Sequence, residues 1–284
     1  MSIIKIVLLL AICISLSGCE SDKKIEATDF SHLNMEQKRK LADWYNEKSY
    51  TYRQPSYLRR VYLDSAAMVL PDSVDYVQRL SYSYKKVGDH IKAMNILNKA
   101  VQMDIDQGHT GALEYRAWTL LYFYRDYEGT IKDVEAIEKM TGRAYNTCWG
   151  EPCGYQKGQA LYRLAKYEQA IETFKAVNIE EEKKGFSTDS NYMIFFYMAR
   201  CYTELGENQK AIELYNRVLK TSNKQPEIYY QLGLIYKKLN NSTLALKNFK
   251  LAKKYIDYGI EEPYIERFDE VFLYMIKREL DSLN

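Results

Sequence analysis

The chain has 284 residues, in which 40 lysines and arginines face 38 aspartates and glutamates for a net charge of +2, with no block of like charge. That balance leaves no electrostatic footprint for nucleic acid. The three histidines, at 32, 90 and 109, have no metal-ligand spacing with the five cysteines, and no phosphate loop, Gly-x-Ser-x-Gly elbow or His-Glu-x-x-His helix occurs, so neither an enzyme nor a cofactor is expected.

The N-terminus differs in kind from the rest. After Lys5 comes an apolar run, Ile6 to Ile14, too short to cross a bilayer as a helix but suited to the core of a signal peptide. Leu16-Ser17-Gly18-Cys19 follows it and resembles a bacterial lipobox. The resemblance implies removal of residues 1–18, a diacylglycerol thioether on Cys19 and an acyl group such as palmitate on the freed amine. An ordinary secretory signal, with Cys19 incidental, is the other reading. Each buried methylene contributes about 0.8 kcal/mol, so two or three chains would hold the protein on a membrane without spanning it. Glu20 stands where an aspartate would resemble an inner-membrane retention signal, which favours the outer membrane and leaves the exposed face open. Residues 19–34 read as a polar tether.

From about Met35 the chain changes to helical spacing, with Leu63 and Ala66 in a second helix that Pro71 should end. Leu80, Ser81, Tyr84, Gly88, Ala93, Leu97 and Ala100 form the next set, and Leu121, Tyr127, Thr130, Val134 and Ile137 a weaker one, with Trp118 where a small residue belongs. Gly158, Leu161, Tyr167, Ala170, Phe174 and Val177 predict helices near 153–164 and 168–182. Two closely matched sets follow: Phe195, Met198, Ala199, Tyr202, Gly206, Ala211, Tyr215 and Val218, then Tyr229, Leu232, Gly233, Tyr236, Asn240, Ala245, Phe249 and Ala252. These two lie 34 residues apart, whereas the spacing is 37 from Ala93 to Thr130, 40 from Thr130 to Ala170 and 41 from Ala170 to Ala211.

A fixed period of this size, with small and aromatic residues recurring in it, marks a unit that must stack on its neighbours to bury its apolar face. The pattern resembles the tetratricopeptide repeat, a pair of antiparallel helices. The resemblance implies an all-α, right-handed solenoid of about five to six repeats over residues 35–261. Residues 262–284 read as a C-terminal capping helix with Ile265, Phe268, Val271, Phe272, Tyr274 and Met275 available for its apolar face.

Cys201 falls within a helix and suits packing. Cys148 and Cys153 flank a turn-rich stretch, Trp149-Gly150-Glu151-Pro152. In an envelope compartment they could form a disulfide, remain quiet thiols, or serve a metal or redox site.

In the resembled family, positions 2, 5, 9 and 12 of the first helix of each repeat line a concave groove. Position 5 is Tyr115, Tyr155, Phe196 and Tyr230 in successive repeats, position 9 is Thr119, Gln159 and Arg200, and position 12 is Tyr122 and Tyr162, with Lys85 and Lys237 toward the ends. The expected groove is aromatic with sparse cations, able to hold a peptide, loop or helix of another envelope protein. With 27 tyrosines in the chain, these rings could equally be packing between repeats. The lysine and asparagine that chaperone-binding members carry at positions 5 and 9 are missing. An alternative is a nutrient- or glycan-binding surface lipoprotein whose rings stack on sugars. Partner identity and oligomeric state do not follow from these residues.

Overall fold

The computed structural model describes residues 29–187, 192–258 and 269–283. The lipobox and Cys19, the tether up to residue 28, and residues 262–268 of the expected cap lie outside the described residues. The chain divides into two compact units, one ending at Pro71 and the other beginning at Asp72.

The first unit is a helical hairpin of α1 (Met35–Tyr50) and α2 (Tyr57–Val69). A reciprocal cap starts α1: the Asn34 side chain accepts from the Gln37 backbone N–H at 2.9 Å, and the Gln37 side chain accepts from the Asn34 N–H at 2.9 Å. Two of the helix's orphan donors are thereby satisfied. Ala42 on α1 and Leu63, Ala66 and Val69 on α2 are buried, and α2 ends just before Pro71.

The second unit contains five further hairpins, which makes the fold all-α and solenoidal. They are α3 (Val74–Lys86) with α4 (His90–Asp106), α5 (Gly111–Thr119) with α6 (Tyr127–Thr141), α7 (Cys153–Arg163) with α8 (Tyr167–Lys183), α9 (Tyr192–Glu204) with α10 (Asn208–Thr221), and α11 (Pro226–Lys238) with α12 (Ser242–Lys254). After a 3-10 turn, Ile256–Tyr258, the last described helix is α13 (Leu273–Asp281). It is shorter than the apolar pattern suggests, because residues 269–272 are turn and extended backbone.

Close helix contact explains the small residues. A Cβ added to Gly158 would lie 2.4 Å from the Phe174 ring, and one added to Gly233 would lie 2.5 Å from the Phe249 ring. Equivalent positions in two repeats therefore meet equivalent rings, and both rings are fully buried. Ala199 holds the corresponding place against Tyr215, again with both buried.

The long spacings have separate causes. At Trp118, too large for a small-residue position, α5 passes into a π turn over Leu120–Tyr124, and Arg125 then takes a left-handed φ of 55°. The wider turn takes up inserted chain without breaking the helix. Between α6 and α7 a two-stranded hairpin intervenes, β1 (Thr147–Cys148) antiparallel to β2 (Glu151–Pro152). The further stretch before α10 reflects a long α8, which runs on to Lys183 before Gly185 turns the chain at a φ of 79°.

Candidate partner-binding surface

The ring at position 5 sits on the first helix of each repeat and, at Tyr155, Phe196 and Tyr230, packs against a ring on the second helix of the same repeat. Tyr115, Tyr155, Phe196 and Tyr230 are only 2–6% exposed. Tyr155 packs on Phe174 and Tyr197, Phe196 on Tyr215, and Tyr230 on Phe249. These rings fill the stack instead of forming an open ladder. Position 9 behaves alike, with Thr119 and Gln159 buried. The polar atoms around them are linked to one another, except the Gln156 side-chain oxygen, which is buried without a donor among the described residues. Gln159 donates to the Tyr122 hydroxyl at 2.8 Å, and Tyr122 donates to the Glu151 carboxylate at 2.9 Å. Gln156 donates to Glu151 at 3.1 Å and to the Cys148 carbonyl at 2.9 Å. Burial, reinforced by the Glu151 charge, raises the Tyr122 pKa well above its ordinary value, which keeps the hydroxyl a donor.

Glu151 belongs to a cover over the α5 side of this surface. Cys148 and Cys153 are joined by a disulfide, with both cysteines buried. Between them the hairpin turns at Trp149 and Gly150, with φ angles of 53° and 88°, the pair of left-handed residues that a tight type I′ turn requires. A left-handed tryptophan is costly, and ring contacts hold it there. Trp149 lies 4.8 Å from the Tyr115 ring and 6.4 Å from Trp118, centroid to centroid, with its outer face exposed.

Beneath that cover Lys85 is enclosed by rings. Its ammonium is 3.9 Å from the Phe123 centroid, 5.0 Å from Tyr115, and 5.4 Å from both Trp118 and Tyr82. It donates to the Tyr115 hydroxyl at 3.0 Å and to the Thr119 hydroxyl at 3.3 Å. Burial, with a smaller contribution from Lys86, lowers its pKa to about 7. The ring faces pull the other way, since they favour the cation.

The α9–α11 side is covered by the C-terminal segment. Tyr162 donates to Asp269 at 3.3 Å, and Arg200 lies 3.3 Å from the same Asp269 oxygen. Arg200 also donates to the Tyr162 hydroxyl at 3.0 Å and to Gln231, and Glu204 is 3.6 Å away. Burial opposes the Arg200 charge, but Asp269, Tyr215 and Tyr162 overcome it and raise its pKa. Lys237 meets Glu279 at 2.7 Å and Ser282 at 2.8 Å. Val271 and Ile276 are buried in an apolar cluster with Tyr230, Ala245, Phe249 and Ala252. Three of the expected groove residues, Tyr162, Arg200 and Lys237, are thus brought together by one segment of the same chain. The sequence reading missed Asp269, Glu279 and Glu151 because their partners are 29 to 107 residues away in the chain. The one local signal was the Trp-Gly turn between the two cysteines.

Among the described residues no group of three or more histidine, cysteine or acidic side chains could hold a metal, and no helix is long and apolar enough to cross a membrane. Cys201 is a buried free thiol, and burial raises its pKa to about 12.

Residues 74–105, 155–178 and 226–256 match a family profile described as tetratricopeptide repeat, and residues 199–240 match one described as TPR repeat. The chain is a tetratricopeptide repeat protein. It is similar to peptidyl-prolyl cis-trans isomerase PASTICCINO1 of Arabidopsis thaliana, 30% identical over 122 residues, which are 43% of this chain and 17% of that protein. It is 31% identical over 85 residues to the photosystem I assembly protein Ycf3 of Synechococcus sp. (strain CC9605), 30% of this chain and 46% of that one. The matched segments therefore span less than half of either curated relative. In fold it is similar to a tetratricopeptide repeat protein from Parabacteroides merdae ATCC 43184, with a TM-score of 0.51, 15% identity, and coverage of 89% of this chain and 86% of that one. It also resembles PilF of Pseudomonas aeruginosa, with a TM-score of 0.56, 16% identity, and coverage of 78% and 97%.

Proposed function

We propose that this chain is a non-catalytic, membrane-anchored adaptor of the bacterial cell envelope, tethered through lipid on Cys19 and holding a segment of another envelope protein. The anchor rests on the resemblance of Leu16-Ser17-Gly18-Cys19 to a lipobox. A scaffold that binds proteins is the role the repeat family supports. One observation carries the binding surface: the first helices of the last three repeats already bind a chain segment, residues 269–283, through Tyr162, Arg200 and Lys237. The glycan-binding alternative finds less support, because the position-5 rings are buried against Trp149, Phe174, Tyr197, Tyr215 and Phe249.

Two measurements test the reading. Cys19→Ser should abolish incorporation of an alkyne-labelled fatty acid and move the protein to the soluble fraction; unchanged membrane attachment would remove the anchor. A photo-reactive phenylalanine analogue in place of Tyr162 should cross-link an envelope protein, while the same analogue at Lys250, an exposed position on α12, should not. Equal yields at the two positions would remove the surface from the account.

A further inference from the structure

We propose, resting on that reading, that the partner enters as an extended acidic segment whose carboxylate replaces Asp269 on Arg200 and Tyr162, so that the C-terminal segment is a placeholder for the true ligand. The Asp269 fit is incomplete. Its Oδ1 takes both the Tyr162 hydroxyl and the Arg200 guanidinium, while its Oδ2 is buried with no hydrogen-bond donor among the described residues. Guanidinium holds a carboxylate best through two parallel bonds, and an orphaned buried oxygen is costly. A carboxylate free to approach squarely would satisfy both oxygens.

The space around Asp269 is also loosely filled. A cleft of about 400 Å³ on one side is lined by Arg200, Tyr230, Gln231 and Met275, and a small apolar hollow on the other by Tyr192, Phe196, Tyr197 and Ile228. Asp269 and Glu270 form the shared wall of both. Residues 269–272 have no helical backbone, and Val271 is the one among them that is buried. Helix α13 is held separately, by the fully buried Ile276 and the Lys237–Glu279 pair. Asp269–Val271 can therefore leave the surface while α13 stays on the end of the stack.

Charge selects the occupant. A basic or wholly apolar segment would leave the half-buried Arg200 with Glu204, 3.6 Å away, as its remaining counter-charge in the place where Asp269 now neutralises it. The ligand class is an acidic side chain followed two residues later by an aliphatic one, the pattern of Asp269-Glu270-Val271.

The probe is a fluorescein-labelled peptide of residues 269–275, Asp-Glu-Val-Phe-Leu-Tyr-Met, titrated by anisotropy against the detergent-solubilised full chain. Asp269→Ala should bind it at least tenfold more tightly than the native chain, and the isosteric Asp269→Asn should do the same without altering helical circular dichroism. A peptide with asparagine first, or the double variant Arg200→Met with Asp269→Ala, should lose that gain. Equal affinity of native and Asp269→Ala chains, or no effect of the asparagine peptide, overturns the proposal. Failure here with a persistent Tyr162 cross-link removes only the acidic-ligand assignment. Peptide binding without any cross-linked envelope protein removes the adaptor reading and leaves the carboxylate site standing.

Discussion

The middle and the C-terminal end of the second unit cover their inner helices in different ways. Over α5 the lid is a short hairpin closed by the Cys148–Cys153 disulfide, seated on aromatic faces and on a neutral chain of hydroxyl and amide groups that ends at Glu151. Over α9 and α11 the lid is the C-terminal segment, held by Arg200–Asp269 and Lys237–Glu279. One lid is bonded covalently and lies on rings; the other is held by ion pairs and by the buried Val271 and Ile276.

Four variants would break or sharpen that contrast. The largest effect should come from Arg200→Met, which strands the Asp269 carboxylate against a surface built for an ion pair; a loss of about 3 kcal/mol in urea unfolding is expected. Replacing Cys148 and Cys153 together by serine should cost about 2 kcal/mol, the loop-closure value for a short ring. It should also raise quenching of Trp149 fluorescence by iodide, while leaving peptide binding at Arg200 unchanged. Gly233→Ala should cost about 1–2 kcal/mol by pressing a methyl on Phe249, and Gly158→Ala should match it if the two repeats are equivalent. Raising salt to 1 M should weaken only the C-terminal lid, seen as faster amide exchange in residues 269–283 with no change near residue 149.

Lys85 adds a pH signature to the α5 side. Its folded pKa, about 7, lies below its unfolded value of 10.5, so between those limits the unfolded chain binds more protons. Stability should rise with pH across pH 7 to 9, by up to about 1.4 kcal/mol per pH unit, and Lys85→Met should flatten that slope. Above pH 9 the buried Cys201 works in the opposite direction, because its pKa is raised to about 12 and the unfolded chain loses the thiol proton first. Between about pH 9 and 10.5 the two effects offset each other, so the rise in stability should level off there in thermal melts.

The helix pairs were legible because each is a local object. Gly158 with Phe174, and Gly233 with Phe249, are 16 residues apart, and the period repeats their spacing. The predicted helices near 153–164 and 168–182 correspond to Cys153–Arg163 and Tyr167–Lys183. The site was legible only in part. Tyr162, Arg200 and Lys237 could be assigned to one face, but which rings stay open depends on what lies over them. At Tyr155, Phe196 and Tyr230 that is decided by Phe174, Tyr215 and Phe249 within the repeats, and at Tyr115 and Tyr162 by Trp149 and Asp269, which belong to no repeat and obey no period. The π turn after Trp118 was signalled by a wrong-sized residue, though not its geometry.

A double-mutant cycle between Arg200 and Asp269 measures whether the C-terminal segment is paired with this surface in solution. Arg200→Met, Asp269→Asn and their combination, compared in urea unfolding, should show a coupling energy of about 1–3 kcal/mol, because each residue is the other's counter-charge on a half-buried surface. Costs that add within about 0.3 kcal/mol would mean that the C-terminal segment does not occupy this surface in solution, contradicting the account.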